Sequence, residues 1–110
     1  MAVYTPKKLY TGQPATSAAT IYTAPASTTT IIKNILICNT TASSATVTLN
    51  LVASGGSAAA NNRILSTYSV NANDTVAIDL SGILATGDFI SAVQGTSSAI
   101  TLHITGVEVV

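Results

Sequence analysis

The sequence predicts an all-β fold, an antiparallel β-sandwich of jelly-roll-like form with about eight strands, and three observations carry that prediction. Apolar and polar residues alternate at period two in segment after segment. No window places apolar residues at i, i+3, i+4 and i+7 among helix-favouring Glu, Lys and Leu. Clusters of Gly, Asn, Asp and Ser punctuate the alternating runs at a spacing of roughly 8–12 residues, the rhythm of sandwiches and jelly rolls. With 110 residues there is material for one core and no more.

Taken in order, residues 1–18 are set apart as an N-terminal arm or extended segment, because the Pro-, Thr- and Ala-rich run from Tyr4 to Ala19 offers few core candidates. The β-sandwich domain is assigned to residues 19–110. Short strands are expected at Leu9–Thr11 and Thr20–Thr23. Thr30–Thr40 reads as one long strand, with Ile31, Lys33, Ile35 and Ile37 on one face and Ile32, Asn34, Leu36 and Cys38 on the other. Two largely apolar faces predict a central strand, or one covered on both sides. Ala45–Val52 alternates with Val47, Leu49 and Leu51 inward and Thr46, Thr48 and Asn50 outward. The stretch Ala53–Asn62 (ASGGSAAANN) is a low-complexity loop, too flexible in composition to order itself well. Ile64–Val70 is a further strand. Thr75–Leu80 places Val76, Ile78 and Leu80 inward, and Phe89–Gln94 follows it. Ile100–Thr105 turns Ile100, Leu102 and Ile104 inward, after which Gly106 is expected to mark a β-bulge that moves the inward set to Val107 and Val109.

Composition narrows the function. Charged residues are 7% of the chain and the net charge is zero, against roughly 25% charged in an average domain. Four cations, Lys7, Lys8, Lys33 and Arg63, give little means of neutralising phosphates, so no nucleic-acid partner is expected. Ala, Ser and Thr supply 47 of the 110 residues and there is no Trp, which describes a thin aliphatic core under a smooth hydroxyl-rich surface. A free protein with this surface lacks the self-repulsion that keeps copies apart, whereas a subunit packed against neighbours tolerates it. The start of the chain lacks the apolar run of a signal peptide, and the Ile31–Cys38 stretch is far too short to span a bilayer, so cytoplasmic synthesis and no membrane partner are expected.

The residues able to do chemistry are few. His103 is alone, on the outward face of an edge-like strand, and a surface or interface role is expected for it. Cys38 reads as a small buried hydrophobe, with His103 the only base that could activate it. Asp74 and Asp88 sit in turns where a carboxylate caps its own backbone, and Asp79 and Glu108 complete the acidic set; calcium held by turn carboxylates is the weaker alternative. No phosphate-loop pattern and no metal-ligand spacing occurs, and neither enzyme activity nor cofactor is expected. Of the four tyrosines, Tyr4, Tyr10 and Tyr22 fall in the first fifth of the chain. They are the candidate partner-docking residues, as anchors with an apolar body and a polar tip, and a sugar-stacking platform is the alternative.

The run Ala19–Thr40 (ATIYTAPASTTTIIKNILICNT) resembles a segment of small virion proteins of tailed bacteriophages, in which an Ile-Tyr-Thr-x-Pro motif precedes a polar stretch, an aliphatic strand and Asn-Thr. Leu84–Ile90 (LATGDFI) is similar to their Gly-Asp turn into a strand. The resemblance implies an oligomeric β-sandwich, cyclic in arrangement, exposed on the particle. Capsid decoration (cement) is the expected role, with the major capsid protein as neighbour. The alternative is a tail, neck or fibre component that adheres to the host or binds a host-surface glycan.

Overall fold

A computed structural model describes residues 2–110 and shows eight strands: β1 (Tyr4–Gly12), β2 (Ala19–Thr23), β3 (Thr29–Asn39), β4 (Ala45–Val52), β5 (Arg63–Val70), β6 (Thr75–Leu84), β7 (Phe89–Gln94) and β8 (Ile100–Val109). One 3₁₀ turn, Ala60–Asn62, interrupts the loop before β5. The strands form two antiparallel four-stranded sheets, β1-β8-β3-β6 and β2-β7-β4-β5. First pairs with last, second with seventh, third with sixth and fourth with fifth, while β3–β8 and β4–β7 pairings complete the sheets. One long antiparallel ribbon rolled onto itself has this order, and it is the jelly roll the alternation predicts. The extents of 48 × 26 × 18 Å describe a slab whose thin dimension is that of two sheets stacked about 10 Å apart.

The core between the sheets is aliphatic. Ile32, Ile35, Ile37, Leu49, Leu84, Ile90, Ile100, Leu102 and Ile104 are all nearly inaccessible. Their branched shapes fill a pleated interface without aromatic bulk.

The backbone departs from the sequence reading at the bulges. Gly106 is not a bulge: β8 keeps one parity throughout, so Gly106 stays inward and Glu108, not Val107 or Val109, follows it on the inner face. The extra residues lie in the partner strands, Leu9 in β1 and Lys33 in β3, where the register against β8 slips. A Cβ on residue 106 would collide with the Ile31 carbonyl oxygen and stand 3.0 Å from Leu9 Cδ1. The glycine therefore marks a close approach of neighbouring backbone. The slip at Lys33 also corrects the parity of β3, whose inward set is Thr30, Ile32, Ile35, Ile37 and Asn39. The strand is central, as expected, but its outer face is open, with Leu36 39% exposed.

Residues 4–12, expected within an arm or extended segment ending at residue 18, are extended and built into the first sheet as its edge, hydrogen-bonded along β8. β8 is therefore internal rather than edge-like. The Ala53–Asn62 loop is not loose: it folds over the outer face of β4 and buries Asn50 and Val52. The Asn50 amide donates to the Ala59 carbonyl (2.9 Å) and to Asn62 Oδ1 (2.7 Å), and Asn62 Oδ1 also accepts from the Ala59 amide. Two further buried amides, Asn39 and Gln94, tie loops at the opposite end of the sandwich.

Candidate interaction surface

The structure does not bring the three candidate docking tyrosines together. Tyr4 is on the outer face of β1, opposite Val109 and 66% exposed. Tyr10 lies on the inner side of the same strand, packed against the core. Tyr22 belongs to the other sheet, and its hydroxyl is engaged within the molecule.

The Tyr22 hydroxyl donates to Glu108 Oε2 at 2.6 Å and lies 2.9 Å from Thr30 Oγ1; Lys7 Nζ reaches the same carboxylate at 3.3 Å. Four strands, β1, β2, β3 and β8, thus meet through one polar cluster between the sheets. Burial, then the hydrogen bond to the Glu108 carboxylate, pushes Tyr22 up to about 12. The Tyr22 hydrogen bond, reinforced by Lys7, holds Glu108 below the ordinary glutamate range although burial opposes it. In sequence Tyr22 reads as a docking anchor because it falls in the first fifth of the chain, whereas the parity of β8 puts Glu108 on the inner face and gives its hydroxyl an internal partner.

The outer face of the first sheet carries a different feature, which no strand shows alone. The registers Pro6↔Val107, Ile31↔Val107 and Ile31↔Ile83 set four apolar residues in one row across all four strands. Ile83 is 60% exposed at the edge of the row, and Tyr4 and Val109 extend the apolar surface toward the chain termini. The next row inward is polar: Lys8, Thr105, Asn34 and Asp79, with Asn34 Nδ2 donating to Asp79 Oδ1 at 2.8 Å. Beyond it lie Thr11, His103, Leu36 and Ala77. The apolar row escaped the sequence reading because it depends on the bulge at Lys33, which turns Ile31 outward. Outward apolar residues left over after that bulge are the signal that would have found it.

The remaining candidate groups are dispersed. Cys38 is half-buried on the outer face rather than in the core, diagonal to His103 on the adjacent strand, and no hydrogen bond joins them. Asp74 accepts from the Thr75 amide. Asp88 accepts from the Ala85 amide and, across loops, from the Ser54 amide, so both turn aspartates cap backbone as expected. Among the described residues, no three His, Cys, Asp or Glu side chains gather into a metal-sized group.

No family model matches the sequence, and no curated protein does. Among solved structures, a chain in the structure of infectious bursal disease virus, Gt strain, is similar over 98% of this chain at 8% identity, with a TM-score of 0.50. A chain from the Gx strain of that virus matches over 99% at 10% identity and a TM-score of 0.48. The tobacco streak virus coat protein dimer matches over 98% at 14% identity and a TM-score of 0.46, with 83% of that chain covered. This chain spans 31% of the length of each bursal disease virus chain. At such identities the likeness is one of fold: an eight-stranded antiparallel sandwich that also occurs in a virus structure.

Proposed function

We propose that this chain is a virion structural protein of a tailed bacteriophage, a capsid decoration (cement) protein that stabilises the particle through contacts of its sandwich. The observation that carries this reading is the apolar row across the outer face of a sparsely charged, small-residue jelly roll with no net charge. Fold alone does not assign function, but an apolar stripe on a smooth neutral face is a surface built to be covered. The likeness in fold to a chain of a virus structure and the Ala19–Thr40 resemblance point the same way. The partners are copies of the chain and the major capsid protein. The protein acts without cofactor, metal or catalysis, in the virion after synthesis in the host cytoplasm.

The alternative is a tail, neck or fibre component that holds a host-surface glycan in its loops. The hollow under the Ala53–Asn62 loop is lined by Leu51, Val52, Ser57, Asn61 and Asn62 among others, and no lining residue is an aromatic ring on which a sugar could stack. That favours decoration. Deleting the chain from a producing phage separates the two. A decoration protein leaves particles that adsorb normally but lose their genome on mild heating or osmotic shock. Particles of unchanged robustness that fail to adsorb would instead establish the tail role.

A further inference from the structure

We infer that the outer face of the β1-β8-β3-β6 sheet binds the same face of a second copy about a two-fold axis running parallel to the strands between β8 and β3. This deepens the reading above and rests on its oligomeric part. The face is self-complementary under that operation. An axis placed there lays β1 of one copy over β6 of the other, and β8 over β3. The apolar row then meets itself reversed: Pro6 faces Ile83, and Val107 faces Ile31. In the adjacent row, Lys8 of one copy falls opposite Asp79 of the other, twice over, and Thr105 falls opposite Asn34. An isologous interface requires this reciprocity, with each residue's partner returning the contact. Strand rows remain aligned near such an axis when twisted sheets stack at about 30°.

Charge and area agree with a copy of the chain as the occupant. Lys8, Lys33 and Asp79 are the charged residues on this face. Lys33 Nζ lies 3.5 Å from Ser81 Oγ and so leans toward β6, away from the axis where two lysines would otherwise meet. The broad side of the slab, 48 × 26 Å in overall extent, is on the scale of the roughly 800 Å² per partner that a standard stable interface buries. The rows other than the apolar one carry mainly Thr, Asn and Ala, short side chains that lose little freedom on being covered.

The test is sedimentation equilibrium of the full purified chain across the micromolar range, with four variants. The wild type is expected to be a dimer or an even-numbered oligomer. Ile83→Asp, at a position exposed in the monomer, is expected to weaken association on the order of 100-fold with unchanged thermal unfolding of the monomer. Lys8→Asp and Asp79→Lys alone are each expected to weaken it about 10-fold, and the double reversal to restore it to within about threefold. A monomeric wild type, or association indifferent to Ile83→Asp and to the charge reversals, would overturn the inference and leave the face to another virion protein. The readout is independent of the particle. A chain monomeric in solution yet present in virions removes only the dimer, and a dimer absent from virions removes only the virion reading.

Discussion

Asn39, Asn50 and Gln94 are polar amides among a mostly aliphatic buried set, and each makes hydrogen bonds that hold a loop. Asn39 Nδ2 donates to the carbonyls of Ser43, Val70 and Asn71, while its Oδ1 accepts from the Thr41 amide and hydroxyl. Removing it strands buried carbonyls, so Asn39→Ala is expected to cost about 3 kcal/mol in urea unfolding. A loss below about 0.5 kcal/mol would mean the loops hold without it. Such residues were opaque in the sequence, since an Asn in a turn and an Asn clamping two turns are written alike. The Tyr22–Glu108 pair makes a pH prediction. Glu108 is held below its ordinary value, so its contribution is present above the unfolded glutamate pKa of about 4.3 and fades as pH falls through the lower folded value. Tyr22 is raised, so its contribution is present below about 10 and is lost as pH climbs toward about 12. Glu108→Gln should flatten the acid limb and bring the Tyr22 phenolate absorbance, assigned by difference against Tyr22→Phe, part of the way back down. An unmoved absorbance would leave burial as its sole cause.

Element by element, the sequence was most legible where strands are short and bounded by turns: β4 has the bounds that alternation predicts, and β7 those expected of a short strand between turns. It was least legible at bulges, because one extra residue reverses every inward assignment beyond it. The glycine at 106 suggests a bulge in sequence but marks a close approach in the fold, since the two leave the same mark in sequence. Gly106→Ala drives a methyl group into the Ile31 carbonyl and is expected to cost at least about 3 kcal/mol, measured by chemical denaturation. A neutral substitution would contradict the contact. β5 provides the converse case. Its inward residues Leu65, Tyr68 and Val70 are spaced three and then two, because an extra residue sits near Thr67, whose φ is +48°. A β-branched residue in that region is strained, whereas glycine is at ease there. Thr67→Gly should stabilise the fold by about 1 kcal/mol, and its higher midpoint in the same titration is the check. The bulge, on an edge strand, also discourages unwanted strand pairing.

For the whole molecule, the proposed role gives low charge and an apolar row one explanation, a slab whose broad outer face would be covered in use. The jelly-roll class was readable from alternation, but the surface was not. It arises from register among four strands, with Pro6, Ile31, Ile83 and Val107 separated by up to 101 residues of sequence. The tyrosines that drew attention in the sequence are divided between outer face, core and an internal hydrogen bond, and only Tyr4 adjoins the row. A density map of the native phage particle tests the central claim most directly. Repeated eight-stranded jelly rolls of this sequence should lie on the capsid surface, with the β1-β8-β3-β6 face buried against a neighbour. A particle whose shell and tail are fully accounted for by other chains, or one in which that face points to solvent, would contradict it.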